Sequence, residues 1–367
     1  MTTRLTENSE LSSLLRSGSK TPRVLILRAG AIGDTLMATP VVRALRRSLP
    51  EAFLTFICSR TAYDVLRFNP HLDQVVPLAL RHLPGWLSLE KWRMIRALRQ
   101  LSFDWALVLE SHPSFLRLAQ KSKARRLIAY GAQSEGDRLA RAEFDPRLHS
   151  IENHLRAAAS LGVKPAGTAM ELHYPSAFDE CVARRLAELR VDPGARLVGI
   201  HAGWGGRRQK LNQTRLRSWP AHRFAQIVQH LAKTPGIRVI LTGSRLDQEL
   251  TRYIADLAGV PALNLAGTLS LLELAALIRR LNLFITVDSG PAHMAAALGT
   301  PLLVLWGPGI LAQTAPLAGT GPVRVLDHHV HCAPCYGTPL MKTCQDNICM
   351  KEITAQEAIA AAEAMLG

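Results

Sequence analysis

Two strand-to-helix turns constrain this chain more than any other feature. In the first, the apolar run at 24–27 (VLIL) passes through Arg28 into Gly30-Ala31-Ile32-Gly33-Asp34. In the second, the run at 283–287 (LFITV) passes into Asp288-Ser289-Gly290-Pro291-Ala292-His293. Each run has the length of a strand buried on both faces, and each is followed at once by glycine and then by helix-forming sequence. That order marks a parallel sheet whose strands are joined through helices. It sets one carboxylate, Asp34 or Asp288, at the carboxyl edge of the sheet, where ligands of such sheets bind. One such carboxylate in each half predicts an α/β chain of two Rossmann-like domains facing a cleft.

The pattern between the turns supports two domains. Strands are expected at 24–27, 52–57, 105–109 and within 123–130, with helices at 36–49 and 89–100. The alternation then restarts, with strands at 197–201, 239–242, 283–287 and 302–306. The helices between them fall at 221–231, 248–257, 271–279 and 292–298. A last helix covers 354–366, where Thr354 can cap and Glu357 sits at the capping-box position. The expected organisation is a flexible tail at 1–21, an N-terminal domain at 22–175, a C-terminal domain at 190–350 and a C-terminal helix at 351–367. The boundary falls near 172–195.

Charge narrows the partners. The chain has 367 residues and a formal net charge of +15, which attracts anions such as nucleotide phosphates, acidic glycolipids or an anionic membrane face. Basic residues cluster at Arg43, Arg46 and Arg47, at Arg93, Arg96 and Arg99, and at Lys121, Lys123, Arg125 and Arg126. They read equally as solvated helix faces. Aromatics make up 5% of the chain, with no basic-aromatic interleaving of the kind that grips single-stranded nucleic acid. No apolar run reaches the roughly 18 residues of a membrane span. The first 20 residues hold no apolar leader core, so a cytoplasmic protein is expected.

The turns differ in how much chemistry they specify. Gly30 and Gly33 let the backbone turn tightly before a helix. Asp34 is either a first-turn residue favoured by the helix dipole or a general base taking a proton from an acceptor hydroxyl. The dinucleotide fingerprint, G-x-G-x-x-G with a later acid, is absent, which argues against a nicotinamide oxidoreductase. At the second turn, Asp288 can accept from sugar hydroxyls, and the helix that follows can hold a pyrophosphate on its first N–H groups. A third segment runs from the strand at 198–201 through Gly203 to Arg217, which can carry phosphate charge. A non-enzymatic binder of anionic polymers is the remaining alternative from charge alone.

Six cysteines are present. Cys58 and Cys181 stand apart and read as buried thiols. Cys332, Cys335, Cys344 and Cys349 crowd together, with His328, His329 and His331 nearby. Four thiolates at such spacing can hold a structural Zn or Fe. Free packed thiols are the other reading, and a reducing cytoplasm disfavours disulfides.

The segments LRAGAIGDTLMATP (27–40), SWPAHRF (218–224), LAGTLSLLELAAL (265–277) and VDSGPAHMAAALGTPLLVLWGP (287–308) resemble glycosyltransferase family 9, the lipopolysaccharide heptosyltransferases. The resemblance implies the GT-B fold, with the C-terminal helix packing back on the N-terminal domain. It also implies metal-independent, inverting transfer of a sugar, heptose in the family, from an ADP-activated donor to a lipopolysaccharide-core glycan. A different donor, or a protein acceptor as in the autotransporter heptosyltransferases, is the alternative. Some of those relatives carry cysteine-bound iron. By resemblance Asp34 is the catalytic base, Asp288 holds the donor sugar, and Ser289, Gly290 and His293 bind its pyrophosphate. Arg217 stands where the family often has Lys, Gly203 lies on the donor turn, Asp247 falls near a ribose-binding acid and Leu269 near an apolar adenine contact. Gly30 and Gly33 form the turn at the acceptor edge. The implied partners are an ADP-sugar, an acidic glycolipid acceptor and the anionic inner face of the cell membrane, with no specific nucleic acid and no catalytic cofactor. The basic loop 205–215 is longer than in core heptosyltransferases.

Overall fold

The structure, a computed structural model, describes residues 21–78, 89–131, 139–203 and 216–367. The expected tail, but for residue 21, and the basic loop 205–215 lie outside the described residues. The chain divides into two compact units at His173 and Tyr174.

The first unit is built on β1 (Arg23–Leu27), β2 (Phe53–Ser59), β3 (Gln74–Leu78), β4 (Trp105–Val108), β5 (Arg126–Tyr130) and β6 (Leu139–Ala142). All pairs are parallel, in the order β3-β2-β1-β4-β5-β6. Leu25 stands between Thr55 and Ala106. Val24, Leu25, Ile26 and Leu27 are all buried, so both faces of β1 are covered. A strand covered on both faces reads as a continuous apolar run with no alternation. The strand order reverses between β1 and β4, and that reversal is the switch point at which such sheets bind ligands.

The described helices of this unit are α1 (Ile32–Leu36), α2 (Thr39–Ser48), α3 (Leu89–Leu101), α4 (Pro113–Lys121) and α5 (Ser150–Ala159). The single helix expected over 36–49 is therefore two pieces. Pro40 in the first turn of α2 has no N–H to continue a preceding helix but fits a new helix start. Two of the basic residues of α2 have structural work. Arg43 is buried and donates to the carbonyls of Ala166, Gly167 and Ala169 and to Glu171 at 2.7 Å. Arg46 pairs with Asp73 at 2.6 Å and donates to the carbonyls of Pro50, Ala52 and His71. Only Arg47 of that cluster is exposed, so Arg43 and Arg46 are neither a solvated face nor an anion-binding patch.

The second unit repeats the topology. Its strands are β7 (Arg196–His201), β8 (Ile237–Thr242), β9 (Leu263–Asn264), β10 (Leu283–Val287), β11 (Leu302–Leu305) and β12 (Val323–Leu326). They pair in parallel in the order β12-β11-β10-β7-β8-β9. Taken from β7, this is the order of the first unit, and its switch point lies between β7 and β10. The described helices are α6 (Ala177–Glu188), α7 (Ala221–Ala232), α8 (Gln248–Ala258), α9 (Leu271–Arg280), α10 (Gly290–Leu298), the short α11 (Leu311–Thr314), α12 (Pro339–Thr343) and α13 (Ile348–Lys351), and the last, α14 (Ala355–Leu366).

The C-terminal helix departs from expectation. Ala355, Ala358, Ala361 and Ala362 of α14 are buried in the core of the second unit, with residues of β7, β10 and α7, and Arg196 of β7 donates to Leu366 O at 3.0 Å. The apolar face expected to cover the N-terminal domain is thus used on the C-terminal unit's own core. Small alanines allow the close approach of helix to sheet that this packing needs. The Thr354–Glu357 capping box is formed, with Glu357 N donating to Thr354 Oγ1 at 3.1 Å and Thr354 N to Glu357 Oε2 at 2.8 Å. Among the described residues no helix is long and apolar enough to cross a membrane.

Candidate active site

At the carboxyl edge of the first sheet, one guanidinium joins two carboxylates. Arg28 follows β1, Glu110 follows β4, and Asp34 lies on α1 between Gly33 and Thr35. Arg28 Nη2 donates to Asp34 Oδ1 at 2.8 Å, and Arg28 Nη1 pairs with Glu110 Oε2 at 3.0 Å. Arg28 Nη1 also donates to Leu109 O at 2.9 Å. The second oxygen of each carboxylate accepts from the turn backbone, Asp34 Oδ2 from Ala31 N at 2.9 Å and Glu110 Oε1 from Ala29 N at 3.0 Å. The two carboxylates differ in access: the Asp34 side chain is 34% exposed and that of Glu110 13%. Burial raises the Glu110 pKa above the ordinary carboxylate value, the Asp34 charge adds to the rise, and Arg28 opposes it. Gly30 is required here, because a Cβ on it would lie 2.6 Å from the Cβ and Oδ2 of Asp34.

Behind this edge, Tyr130 at the end of β5 shares a hydrogen bond of 2.8 Å with His154 Nδ1 on α5. Burial holds His154 well below the usual imidazole range, with Arg28 and His149 pushing the same way. It raises the Tyr130 phenol. A neutral histidine and a neutral tyrosine therefore back a strongly ionic edge.

The second sheet presents a different edge. Asp288 follows β10 and is buried, and Arg217, from the segment before α7, reaches its Oδ2 at 3.1 Å. The Arg217 guanidinium carbon lies 4.6 Å from the ring centroid of Tyr336. Ser289 is turned into the sheet, its hydroxyl 3.0 Å from Thr286 Oγ1, so its side chain serves the fold and its backbone faces the turn. Thr286 in turn bonds His201 O on β7 at 3.0 Å. Gly290 begins α10 with Pro291 in its first turn, and His293 is buried one turn on. The N-cap Ser289 makes no side-chain cap bond, Pro291 has no N–H, and Ala292 N donates to Ser289 O at 3.2 Å, so in the first three residues of the helix only Gly290 offers an N–H to an outside acceptor.

Gly203 and Asp247 come together on the far side of β7. Any Cβ at 203 would overlap the Asp247 carboxylate. Asp247 Oδ2 accepts from Ser244 N at 2.7 Å and Ser244 Oγ at 2.6 Å, so one oxygen caps the turn that begins α8. His201, held by Thr242 Oγ1 at 3.0 Å, is kept neutral by burial, with Asp247 opposing. Leu269 is half-buried beside Ser270, the N-cap of α9.

The cysteines correct an expectation. Cys335 lies with Leu216 and Met341 in a small apolar cluster against which Cys344 packs, whereas Cys349 belongs to the main core. Burial pushes the Cys349 thiol up to about 11 and raises that of Cys335, and the neighbouring cysteines add to both. His328 and His329 face Glu357 and Asp327. Among the described residues no group of three or more His, Cys, Asp or Glu is placed to hold a metal ion, and the structural Zn or Fe is not supported.

Sequence reading missed Arg28, Glu110 and Tyr336. The first two had a signal, since each directly follows an apolar strand run that ends at the switch point. Tyr336 had none, lying in an irregular segment beside Cys335.

Residues 212–343 match glycosyltransferase family 9 (heptosyltransferase). The chain is 25% identical over 315 residues to lipopolysaccharide heptosyltransferase 2 of Salmonella typhimurium, covering 81% of this chain and 86% of that one. It is 27% identical over 315 residues to the lipopolysaccharide core heptosyltransferase OpsX of Haemophilus influenzae, covering 83% of each. The fold matches a family 9 glycosyl transferase from Veillonella parvula with a TM-score of 0.76 at 20% identity, over 94% of this chain and 97% of that one. It matches the ADP-heptose lipopolysaccharide heptosyltransferase II of E. coli with a TM-score of 0.73 at 19% identity, over 94% and 98%. Both sheets therefore have the GT-B kind of construction, and over residues 212–343 the chain is similar to glycosyltransferase family 9, the heptosyltransferases.

Proposed function

We propose that this protein transfers heptose, with inversion, from ADP-heptose to a lipopolysaccharide-core acceptor. The observation that carries the reading is shared by the two sheets: each switch point holds a carboxylate gripped by an arginine, Asp34 by Arg28 and Asp288 by Arg217. The more exposed of the two, Asp34, suits a base that must reach a substrate hydroxyl. The buried one, Asp288, suits a fixed acceptor for sugar hydroxyls. The similar E. coli heptosyltransferase WaaC has been solved with ADP and with ADP-2-deoxy-2-fluoro heptose, which supports an ADP-sugar donor.

In this mechanism an acceptor oxygen attacks the anomeric carbon while its proton passes to Asp34. The bond from the anomeric carbon to the β-phosphate oxygen breaks, and ADP leaves with the bonding electrons. The charge growing on the leaving diphosphate is met by Arg217 and the N–H of Gly290 at the start of α10. Gly203 leaves room for the Asp247 carboxylate beside the end of β7. Asp247 has one oxygen left for a ribose hydroxyl, and Leu269 offers an apolar contact to adenine. Gly30 and Gly33 shape the turn that carries Asp34. No metal takes part in this reading. The net charge of +15 favours an acidic glycolipid acceptor and the anionic cytoplasmic face of the inner membrane.

Incubation with ADP-heptose and a heptose-deficient lipopolysaccharide core tests the proposal. The expected result is ADP release and a product whose new linkage has the opposite anomeric configuration by NMR. Equal thermal stabilisation by UDP-sugars and ADP-sugars, or retention at the anomeric centre, overturns it.

A further inference from the structure

The C-terminal segment that holds the cysteines also surrounds Arg217 and its flanking residues. Leu216 packs with Cys335 and Met341. Asn347 Nδ2 donates to Ser218 O at 2.8 Å. Trp219 Nε1 donates to Ile353 O at 2.9 Å. The ring under the guanidinium, Tyr336, is anchored separately: its backbone N and that of Cys335 both donate to Pro308 O, at 3.0 and 3.2 Å, in the loop after β11. The two segments thus bring the Arg217 guanidinium over the Tyr336 ring, 4.6 Å from its centroid, with Nη1 on Asp288. Tyr336 remains 45% exposed, so burial in a core does not account for its place.

We propose that Tyr336 is the positioning residue for Arg217, and that this stack is the reason the chain carries arginine, not lysine, at that position. The inference rests on the donor reading given above and deepens it. A guanidinium is flat and weakly hydrated, and stacks on an aromatic face while donating in its own plane. An ammonium is a compact, strongly hydrated charge on a flexible stem and needs no such platform. Stacked, the Arg217 side chain is restricted to the edge beside Asp288. The freedom it would otherwise lose on meeting a diphosphate is lost already, which strengthens binding without a new contact to the ligand. The ligand class is a nucleoside diphosphate with its diphosphate drawn to the Arg217 guanidinium.

The test is a double-mutant cycle on ADP affinity, measured by calorimetry with the full chain. Tyr336→Ala weakens ADP binding about 10-fold, within the range of a cation–π contact. Tyr336→Phe, which keeps the ring, recovers most of that loss. Arg217→Lys falls toward the level of Tyr336→Ala. In the Arg217→Ala background, Tyr336→Ala has no further effect. Losses that multiply across the cycle, or a Tyr336→Ala protein that binds ADP as the parent does, overturn the inference. Should the parent bind no ADP, the donor reading fails, and the same cycle read by melting temperature without ligand decides the inference. Coupled shifts support it, and independent shifts overturn it.

Discussion

The two units share a strand order and differ in what their switch points hold. In the first, the cation comes from the sheet itself: Arg28 directly follows β1 and pairs with Asp34 six residues on and with Glu110 after β4. In the second, among the described residues no Arg or Lys directly follows β7 or β10, and Arg217 is delivered from the segment before α7 and steadied by Tyr336. The first edge is a local ionic cluster, specified largely by one turn and one neighbouring strand. The second is assembled over long distances in sequence, with a helix N-terminus and a buried aspartate awaiting a charge brought from elsewhere. One topology therefore yields an edge suited to proton transfer and another suited to anion binding, because the turns after the first and fourth strands differ.

The strongest way to break this comparison is at Asp34. Asp34→Ala is expected to lower turnover by roughly 10² to 10⁴, the usual worth of a general base, with donor affinity nearly unchanged in a binding assay. A large loss of ADP affinity would instead put the anion site at the wrong edge. Arg43→Ala probes how the first unit holds the irregular segment by which the chain leaves it. It removes bonds to three carbonyls and leaves Glu171 without its closest cation, so a destabilisation of about 3 kcal/mol is expected in denaturant unfolding.

Glu110→Gln tests whether the first edge is a shared-cation cluster. The amide keeps the shape but not the charge, so Arg28 is left with Asp34 alone. A loss of about 1–2 kcal/mol is expected for the half-satisfied pair, with a fall in turnover that narrows against the parent as pH drops. The narrowing follows because acid protonates the parent's Glu110, whose pKa is raised, and so reproduces the variant's uncharged side chain.

Acid acts on both units in the same direction. His154 in the first and His201 in the second are neutral when folded, with values below the ordinary 6.5. The unfolded chain therefore binds more protons just below pH 6.5. The stability from keeping them neutral is present above that pH and is lost as pH falls. Glu171 adds a second loss at lower pH. Burial alone would raise it, but His173 and Arg43 bring it to about 2, so its contribution fades from about 4.5 downward. Melting temperature followed from pH 7 to pH 3 should fall throughout, and replacing His154 with Gln should flatten the first part of that fall.

The parts of the fold that were legible in the sequence are the buried ones. β1, β2, β4, β7, β8, β10 and β11 all read as apolar runs. The strands that escaped were β3, β6, β9 and β12, and every one lies at or beside a sheet edge. β3 contains Pro77 and β12 contains Arg324, residues an edge tolerates because one side of the strand carries no pairing partner. The glycine turns were legible for the same local reason, since a close side-chain approach such as Asp34 over Gly30 excludes every other residue.

Side-chain partnerships across sequence were not legible. By itself the sequence determined the two sheets, their turns and the acidic residue after each, because strand length, glycine and burial act over a few neighbouring residues. Only the tertiary structure decided that Glu110 shares Arg28, that Arg43 grips the chain leaving the first unit, that the last helix covers its own unit's core and that Tyr336 lies beneath Arg217. Those pairings depend on where the chain returns after long excursions. The free energy that selects them belongs to the packed whole, and no short segment carries it.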